Sequence, residues 1–363
     1  MILKKLDTYI IKKYLASFFF TMFLISLVGI VIDYSEKINK YINADLSFIE
    51  VMSQYYLYYI PWINGLMWPL FSLIAVIFFT SRLAKDSEII ATLSGGVSIY
   101  RILVPYLIAA CFISGLLWAG KNYVIPLSNK LKNEFEAEHL HKNIEQTLQN
   151  DIHFYLNPDQ KIFIRRYIKR DSSGRIFRLE QFKNNNLVEV LKAEKLTFKE
   201  APNLWTLKNY SIRKIDGLKE EIIVANSETL DTLLDLTPED FTRNTKGMEN
   251  MNTTDLKNYI LRKKERGIGA EKNYLVELYL RSAQPFAIII LTIIGFAIAA
   301  RKIRGGMGLH LAIGVIIGAA YVIVSQFSST FSNNLSLDPM LGAWLPNVIF
   351  GIIALFLLSK SQK

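Results

Sequence analysis

The stretch Ile99–Gly120, IYRILVPYLIAACFISGLLWAG, decides the fold. It holds one charge, Arg101, near its start, and the polar run KNYVIPLSNKLKNEFEAEHLHK (Lys121–Lys142) follows at once. About 20 consecutive apolar residues suffice for a helix to cross the hydrocarbon core of a bilayer. Five similar segments flank this one: Ala16–Ile32 and Ile60–Thr80 before it, and Ala283–Ala300, Leu309–Phe327 and Gly342–Leu358 far beyond it. Three segments therefore precede, and three follow, an insert of about 160 residues, Lys121–Ser282. A polar insert between two triplets of spans must lie wholly on one side of the membrane. The expected fold class is an α-helical membrane protein with six transmembrane helices (3+3) and one extramembrane antiparallel β domain of jellyroll type. The expected segments are 1–120, 121–282 and 283–363.

Composition agrees. Of 363 residues, 51% are hydrophobic and the mean hydropathy is +0.23, and a soluble globular chain rarely carries this many long apolar runs. Tyr55, Tyr56, Tyr58, Tyr59, Trp62, Trp68, Tyr123 and Trp344 gather near span ends, as an interfacial belt does. The single cysteine, Cys111, excludes an intrachain disulfide. Lys4, Lys5, Lys12 and Lys13 before an apolar run resemble a signal peptide. The run is too long for one and is followed by Asp33-Tyr34-Ser35-Glu36 rather than small residues, so it reads as an uncleaved first span.

The net charge of +10 reports orientation. Lys/Arg concentrate in the N-terminus, in the loop with Arg82, Lys85 and Arg101, in the loop with Arg301, Lys302 and Arg304, and at Lys360 and Lys363. The opposite loops hold Lys37 and Lys40 against Asp33, Glu36, Asp45, Glu50 and Asp338. Short basic loops stay cytoplasmic, which predicts both termini inside and the insert outside.

Within the insert, Lys121–Asn150 reads as a helical exit from span three. After Asp151 the period falls to two. Short β-rich runs alternate with the turns Asn157-Pro158-Asp159, Ser172-Ser173-Gly174, Asn184-Asn185-Asn186, Pro202-Asn203 and Asp216-Gly217. The expected β core, about 151–245, is a small two-sheet sandwich or jellyroll. A helix capped by Thr253 or Thr254 follows, and Pro285 is a possible kink in span four.

Chemistry is sparse. Gly305-Gly306-Met307-Gly308 lacks the Lys-Ser/Thr of a phosphate-binding loop and reads as a tight turn. His139 and His141 stand two apart, on different helix faces, with no HExxH-type partner, so a solvated helix is the simpler reading than a metal site. His153 and His310 have no visible catalytic partner. No enzyme chemistry and no metal are expected.

Two clusters are better candidates. The loop Ser81–Ser98 reads as an amphipathic helix, about 82–95, closed by Gly95-Gly96. Leu83, Ile89, Ile90 and Leu93 form its apolar face; Arg82, Lys85, Asp86, Ser87 and Glu88 carry its polar groups. It is either a solvated loop helix or one that docks in a partner's groove. At the outer end of span one, Asp33–Lys37 and Glu36–Lys40 are i,i+4 pairs. They either stabilise the helix locally or present lysines to anionic lipid headgroups.

The assembled pattern resembles the LptF/LptG permease family of the lipopolysaccharide export transporter over nearly the whole chain. The resemblance rests on Leu6-Asp7-x-Tyr9-Ile10, the 3+3 arrangement, Ser87-Glu88 before Ser94-Gly95-Gly96, and Trp205-x-Leu207 with Asp216-Gly217. Arg281-x-x-x-Pro285 and Ala343-Trp344-Leu345-Pro346-Asn347 complete it. The Leu6-Asp7 start looks closer to LptG than to LptF. The resemblance implies a multi-pass protein of a Gram-negative inner membrane that pairs with a second such permease above an LptB-type ATPase dimer. ATP and Mg would act through that partner, and this chain would bind no cofactor. Arg82, Asp86, Ser87 and Glu88 would couple to the ATPase, with Arg301 and Arg304 in the neighbouring loop. Lipopolysaccharide would enter laterally near Asp33, Glu36, Lys37, Lys40 and Arg281. It would then pass to the jellyroll and on to LptC-type and LptA-type proteins.

Overall fold

The computed structural model describes residues 4–140, 150–168, 171–184, 186–238, 247–265, 272–301, 306–334 and 337–360. Six helices are long and apolar enough to cross a membrane: α1 (Lys5–Asn43), α2 (Phe48–Lys85), α4 (Ile99–Leu140), α7 (Lys272–Ala299), α8 (Gly306–Asn334) and α9 (Pro339–Lys360). Shorter helices are α3 (Glu88–Ser94), α5 (Gly247–Asn250) and α6 (Thr253–Glu265). The chain divides into two compact units, one holding the six long helices and residues 249–256, the other the β-strands.

In the helical unit, α2 and α7 are the most enclosed, while α1 and α8 leave most of their apolar surface uncovered. Phe71, Val76, Phe79, Leu103, Tyr106, Ile113 and Phe296 build the core among α1, α2, α4 and α7. Leu73, Ile77, Leu291, Ile294, Tyr321 and Phe350 build a second core, which α8 and α9 share. Gly314 and Gly318 let α8 approach α2 closely: a Cβ on the first would collide with Ile77, and on the second with Leu70. Small residues four apart serve this purpose in apolar helix pairs, where dispersion replaces the hydrophobic effect.

Two local expectations change, at the start of α8 and at the cap of α6. Gly306 begins α8 with φ +63°, so Met307 and Gly308 lie inside a helix rather than in a turn. The helix α7 runs on through Pro285, whose carbonyl accepts a hydrogen bond from Ser114 Oγ (2.8 Å). Asn252, not Thr253 or Thr254, caps α6: its Oδ1 accepts from the Asp255 amide at 2.8 Å. The Asn252 side chain closes that turn and leaves Thr253 for tertiary contacts.

The second unit holds one six-stranded antiparallel sheet in chain order: β1 (Asn150–Asn157), β2 (Gln160–Ile168), β3 (Ser173–Lys183), β4 (Asn186–Glu200), β5 (Leu204–Asp216) and β6 (Lys219–Leu233). Short turns join consecutive strands, so sequence neighbours become sheet neighbours. Among the described residues there is no second sheet, which departs from the expected pair of sheets. A crease supplies the two halves instead. Ile162, Ile164, Phe177, Leu179, Leu191 and Ala193 point inward on one side of it, and Tyr167, Gly174, Leu196, Trp205 and Leu207 on the other. Between them, each of four strands has two successive outward residues: Arg165-Arg166, Arg175-Ile176, Glu194-Lys195 and Lys208-Asn209. The in–out alternation therefore resets by one residue while the hydrogen-bonded register keeps step across the crease from β2 to β4 and shifts only farther along, between Gln181 and Phe182. Positive φ at Asp151 (55°), Ile176 (56°), Asn209 (52°) and Ser227 (65°) lines the crease, and such bends re-aim side chains. Both halves then face a single core, sealed by Trp205, whose Nε1 donates to the Leu236 carbonyl (3.0 Å).

Candidate functional site

At the end of the bundle that bears the chain termini, α2 stops at Lys85. Asp86 and Ser87 form a break, with Ser87 at φ +63°, before the two-turn α3. The expected single helix over 82–95 is thus two pieces. A serine in the left-handed region, without the freedom of glycine, marks a joint that packing enforces. The expected apolar face is divided. Leu83 and Ile89 are buried in the chain's own core, whereas Ile90 and Leu93 are 45% and 38% exposed. Arg82, Lys85, Asp86 and Glu88 lie beside them with their side chains toward solvent. One residue, Ile89, therefore anchors α3, and its remaining face is open.

Around this loop, polar joints cross the bundle. Arg101, in the first turn of α4, grips Asp7 of α1 with both arms: Nη1 to Oδ1 at 2.8 Å and Nη2 to Oδ2 at 2.6 Å. Asp7 is 4% exposed, and the Lys4 amide also donates to its Oδ2 (2.9 Å). A forked guanidinium–carboxylate pair fixes orientation as well as distance. Deeper in, the Tyr14 hydroxyl meets Ser72 Oγ (2.5 Å) and Thr292 Oγ1 (2.9 Å), joining α1, α2 and α7. His310 Nδ1 meets Ser81 Oγ at 2.8 Å, and its Nε2 is buried with no partner among the described residues. Arg301 is exposed; Arg304 lies outside the described residues.

At the opposite end, Lys37 turns into the protein. Its Nζ lies 2.9 Å from Asp33 Oδ1 and 2.9 Å from Glu136 Oε1, and also bonds the Tyr55 hydroxyl. Tyr55 donates to Glu136 Oε1 (2.9 Å) and Tyr56 to Asp33 Oδ2 (2.9 Å). The expected Asp33–Lys37 pair therefore forms, but within a network that spans α1, α2 and α4. The expected Glu36–Lys40 pair does not form. Both side chains are exposed, where ion pairing barely exceeds the entropy cost of holding two long chains. Arg281, almost fully buried, donates from Nε to Glu277 Oε1 (3.0 Å) and from Nη1 to Thr253 Oγ1 (3.1 Å); Thr253 in turn bonds Asn122.

The residues brought together thus differ from those expected. Asp33 and Lys37 join Glu136, Tyr55 and Tyr56, which sequence reading placed only in an exit helix and an aromatic belt. In sequence, Asp7 stands only within a family motif and Arg101 only as a loop charge, so their pairing is missed. His139 stacks on Phe135 (centroids 4.5 Å), and His141 lies outside the described residues. No group of three metal-ligating side chains is gathered among the described residues.

Comparison with known proteins matches this arrangement. The family model described as lipopolysaccharide export system permease LptF/LptG matches residues 8–360. The chain is similar to the lipopolysaccharide export system permease protein LptG of Escherichia coli (strain K12), 20% identical over 361 residues and 98% of each chain. It is also similar to the protein of that name from Haemophilus influenzae, 21% identical over 362 residues, covering 98% of this chain and 99% of that one. Six spans, a β domain inserted after the third and a match over nearly the full length place this chain in the LptF/LptG family of lipopolysaccharide export permeases.

Proposed function

We propose that this chain is the LptG-type half of a lipopolysaccharide exporter, with both termini cytoplasmic and the β domain periplasmic. A second LptF/LptG-type permease pairs with it, covering the open faces of α1 and α8. An LptB-type ATPase dimer docks on α3 and supplies ATP and Mg chemistry from its own chain. The single observation that carries this reading is α3 itself: a helix anchored by Ile89 alone that presents Glu88, Ile90 and Leu93 outward. Apolar residues of an amphipathic helix facing an aqueous side have a use when a groove receives them.

On this reading the lipid-facing residues have separate roles. Exposed Lys40 is the cation of this group free to meet a headgroup, and Glu36 lies beside it. Asp33, Lys37 and Arg281 hold the walls of the path in position. From there lipid passes along the β domain to LptC-type and LptA-type jellyrolls.

Glu88→Lys tests the docking. In the reconstituted complex this variant should lose most lipid-stimulated ATP hydrolysis, or fail to retain the ATPase on purification. Full assembly with unaltered export would overturn the role of α3. Affinity purification that recovers neither a second permease nor an ATPase would favour a membrane scaffold for the β domain instead.

A further inference from the structure

The crease of the β sheet carries charge in an unusual order. Arg166 pairs directly with Arg175, Arg175 with Lys195, and Lys195 with Lys208, so four cations stand in register across four adjacent strands. Directly opposed residues are about 5 Å apart at Cβ, and like charges there are destabilising. Elsewhere the sheet opposes Lys161 to Glu180 and Lys214 to Glu189 and Glu221, and Arg178 of a further like pair, with Lys192, is met by Glu180 at 3.0 Å. Arg165 adds a fifth cation beside the row. Among the described residues, no ion pair or hydrogen bond engages the side chains of Arg165, Arg166, Arg175, Lys195 or Lys208. The nearby Glu194 accepts instead from Asn209 Nδ2 (2.5 Å). An open depression of about 510 Å³ lies here, lined by Asp151, Arg165, Arg166, Arg175, Ile176 and Glu194.

We propose that this crease is a binding site for the phosphate groups of an acidic saccharide. Unpaired guanidinium forks match phosphate oxygens in geometry and charge. Four strands place the outer cations of the row about 14 Å apart. That length suits several anionic groups carried on one sugar chain and exceeds a single phosphate ion. Asp151 and Glu194 at the rim accept hydroxyl hydrogens, which a saccharide offers and a bare anion does not. An anion also removes the mutual repulsion of the row, so binding offsets the cost that these residues impose on the free fold. The identity of the saccharide as a lipopolysaccharide headgroup rests on the export reading; the anion site stands on the register alone.

The test uses the full chain in neutral detergent, titrated calorimetrically with deacylated lipopolysaccharide that retains its phosphates. Binding should occur, weaken as salt rises, and fall about tenfold or more in Arg166→Gln/Arg175→Gln, since both guanidinium groups make charge-assisted bonds to phosphate. That variant should unfold no earlier than the parent, because it removes a like-charged pair. Lys208→Gln, at an exposed position, should weaken binding to a smaller degree and guards against misfolding of the double variant. Equal binding by parent and variants would overturn the site. Inorganic phosphate binding as tightly as the saccharide would overturn the saccharide assignment. So would capture of phosphatidylglycerol vesicles without saccharide binding. No ATPase or second permease is present in this assay, so its failure is distinct from failure of the export reading.

Discussion

Replacing Lys37 with Met and Glu136 with Gln, singly and together, separates two roles for the lysine. Its ammonium lies 2.9 Å from both Asp33 and Glu136, and the side chains of Lys37 and Glu136 are only 20% and 16% exposed. At an effective dielectric of about 20, charges roughly 3 Å apart interact by about 5 kcal/mol. Desolvation offsets much of this; exposed pairs retain about 0–1 kcal/mol, and breaking buried ones costs about 3–5. A pair of this intermediate burial should show a coupling of about 2 kcal/mol in the double-mutant cycle. Lys37→Met alone should cost more than the coupling, since it strands Asp33 as well. The assay is equilibrium unfolding in neutral detergent micelles titrated with dodecyl sulfate, followed by helix content. A coupling below about 0.5 kcal/mol, together with reduced lipid crosslinking in Lys37→Met, would refute the inward role and return the residue to the headgroup path.

Other consequences can be tested in the detergent-solubilised chain or, for export, in the reconstituted complex. Asp7→Asn should leave the fold in place but lower export per ATP hydrolysed several-fold, and Asp7→Arg with Arg101→Asp should recover part of it. No recovery would mean that the pair acts other than through its charge. Gly318→Leu should drive α8 away from α2 through Leu70 and cost about 1–3 kcal/mol or more, read as earlier unfolding; an unchanged midpoint would disprove the close approach. Trp205→Ala should cost about 3–5 kcal/mol and expose the β unit to protease while the helical unit stays protected. Equal protease resistance would show that the core does not depend on this seal.

Hydropathy made the spans legible because lipid imposes one simple demand, and turn residues made the strands legible because each hairpin is local. The long-range joints were not. Lys37 and Glu136 are 99 positions apart, and nothing near Lys37 in sequence announces which way an amphipathic cation will turn. The i,i+4 spacing of Glu36 and Lys40 is identical to that of Asp33 and Lys37. Asp33 and Lys37 meet Glu136, Tyr55 and Tyr56, whereas Glu36 and Lys40 are exposed and stay open. The crease was hidden for a related reason. Two outward residues in succession look like a broken strand pattern on one strand and become a feature only when four strands align. Ser87 concealed its joint because a left-handed serine has no compositional signature.

The unbroken length of α1 has a mechanical consequence. Its 39 residues contain no proline and span about 58 Å, roughly twice the hydrocarbon thickness. Asp7 is clamped near one end and Lys37 near the other, about 45 Å apart along the axis. A stiff rod pinned at both tips cannot bend its way out of a disturbance. A tilt of about 5° at the Arg101 clamp displaces the Lys37 tip by about 4 Å, enough to part it from Glu136. The helix that is least enclosed by its own chain can thus report an event on one face of the membrane directly to the other.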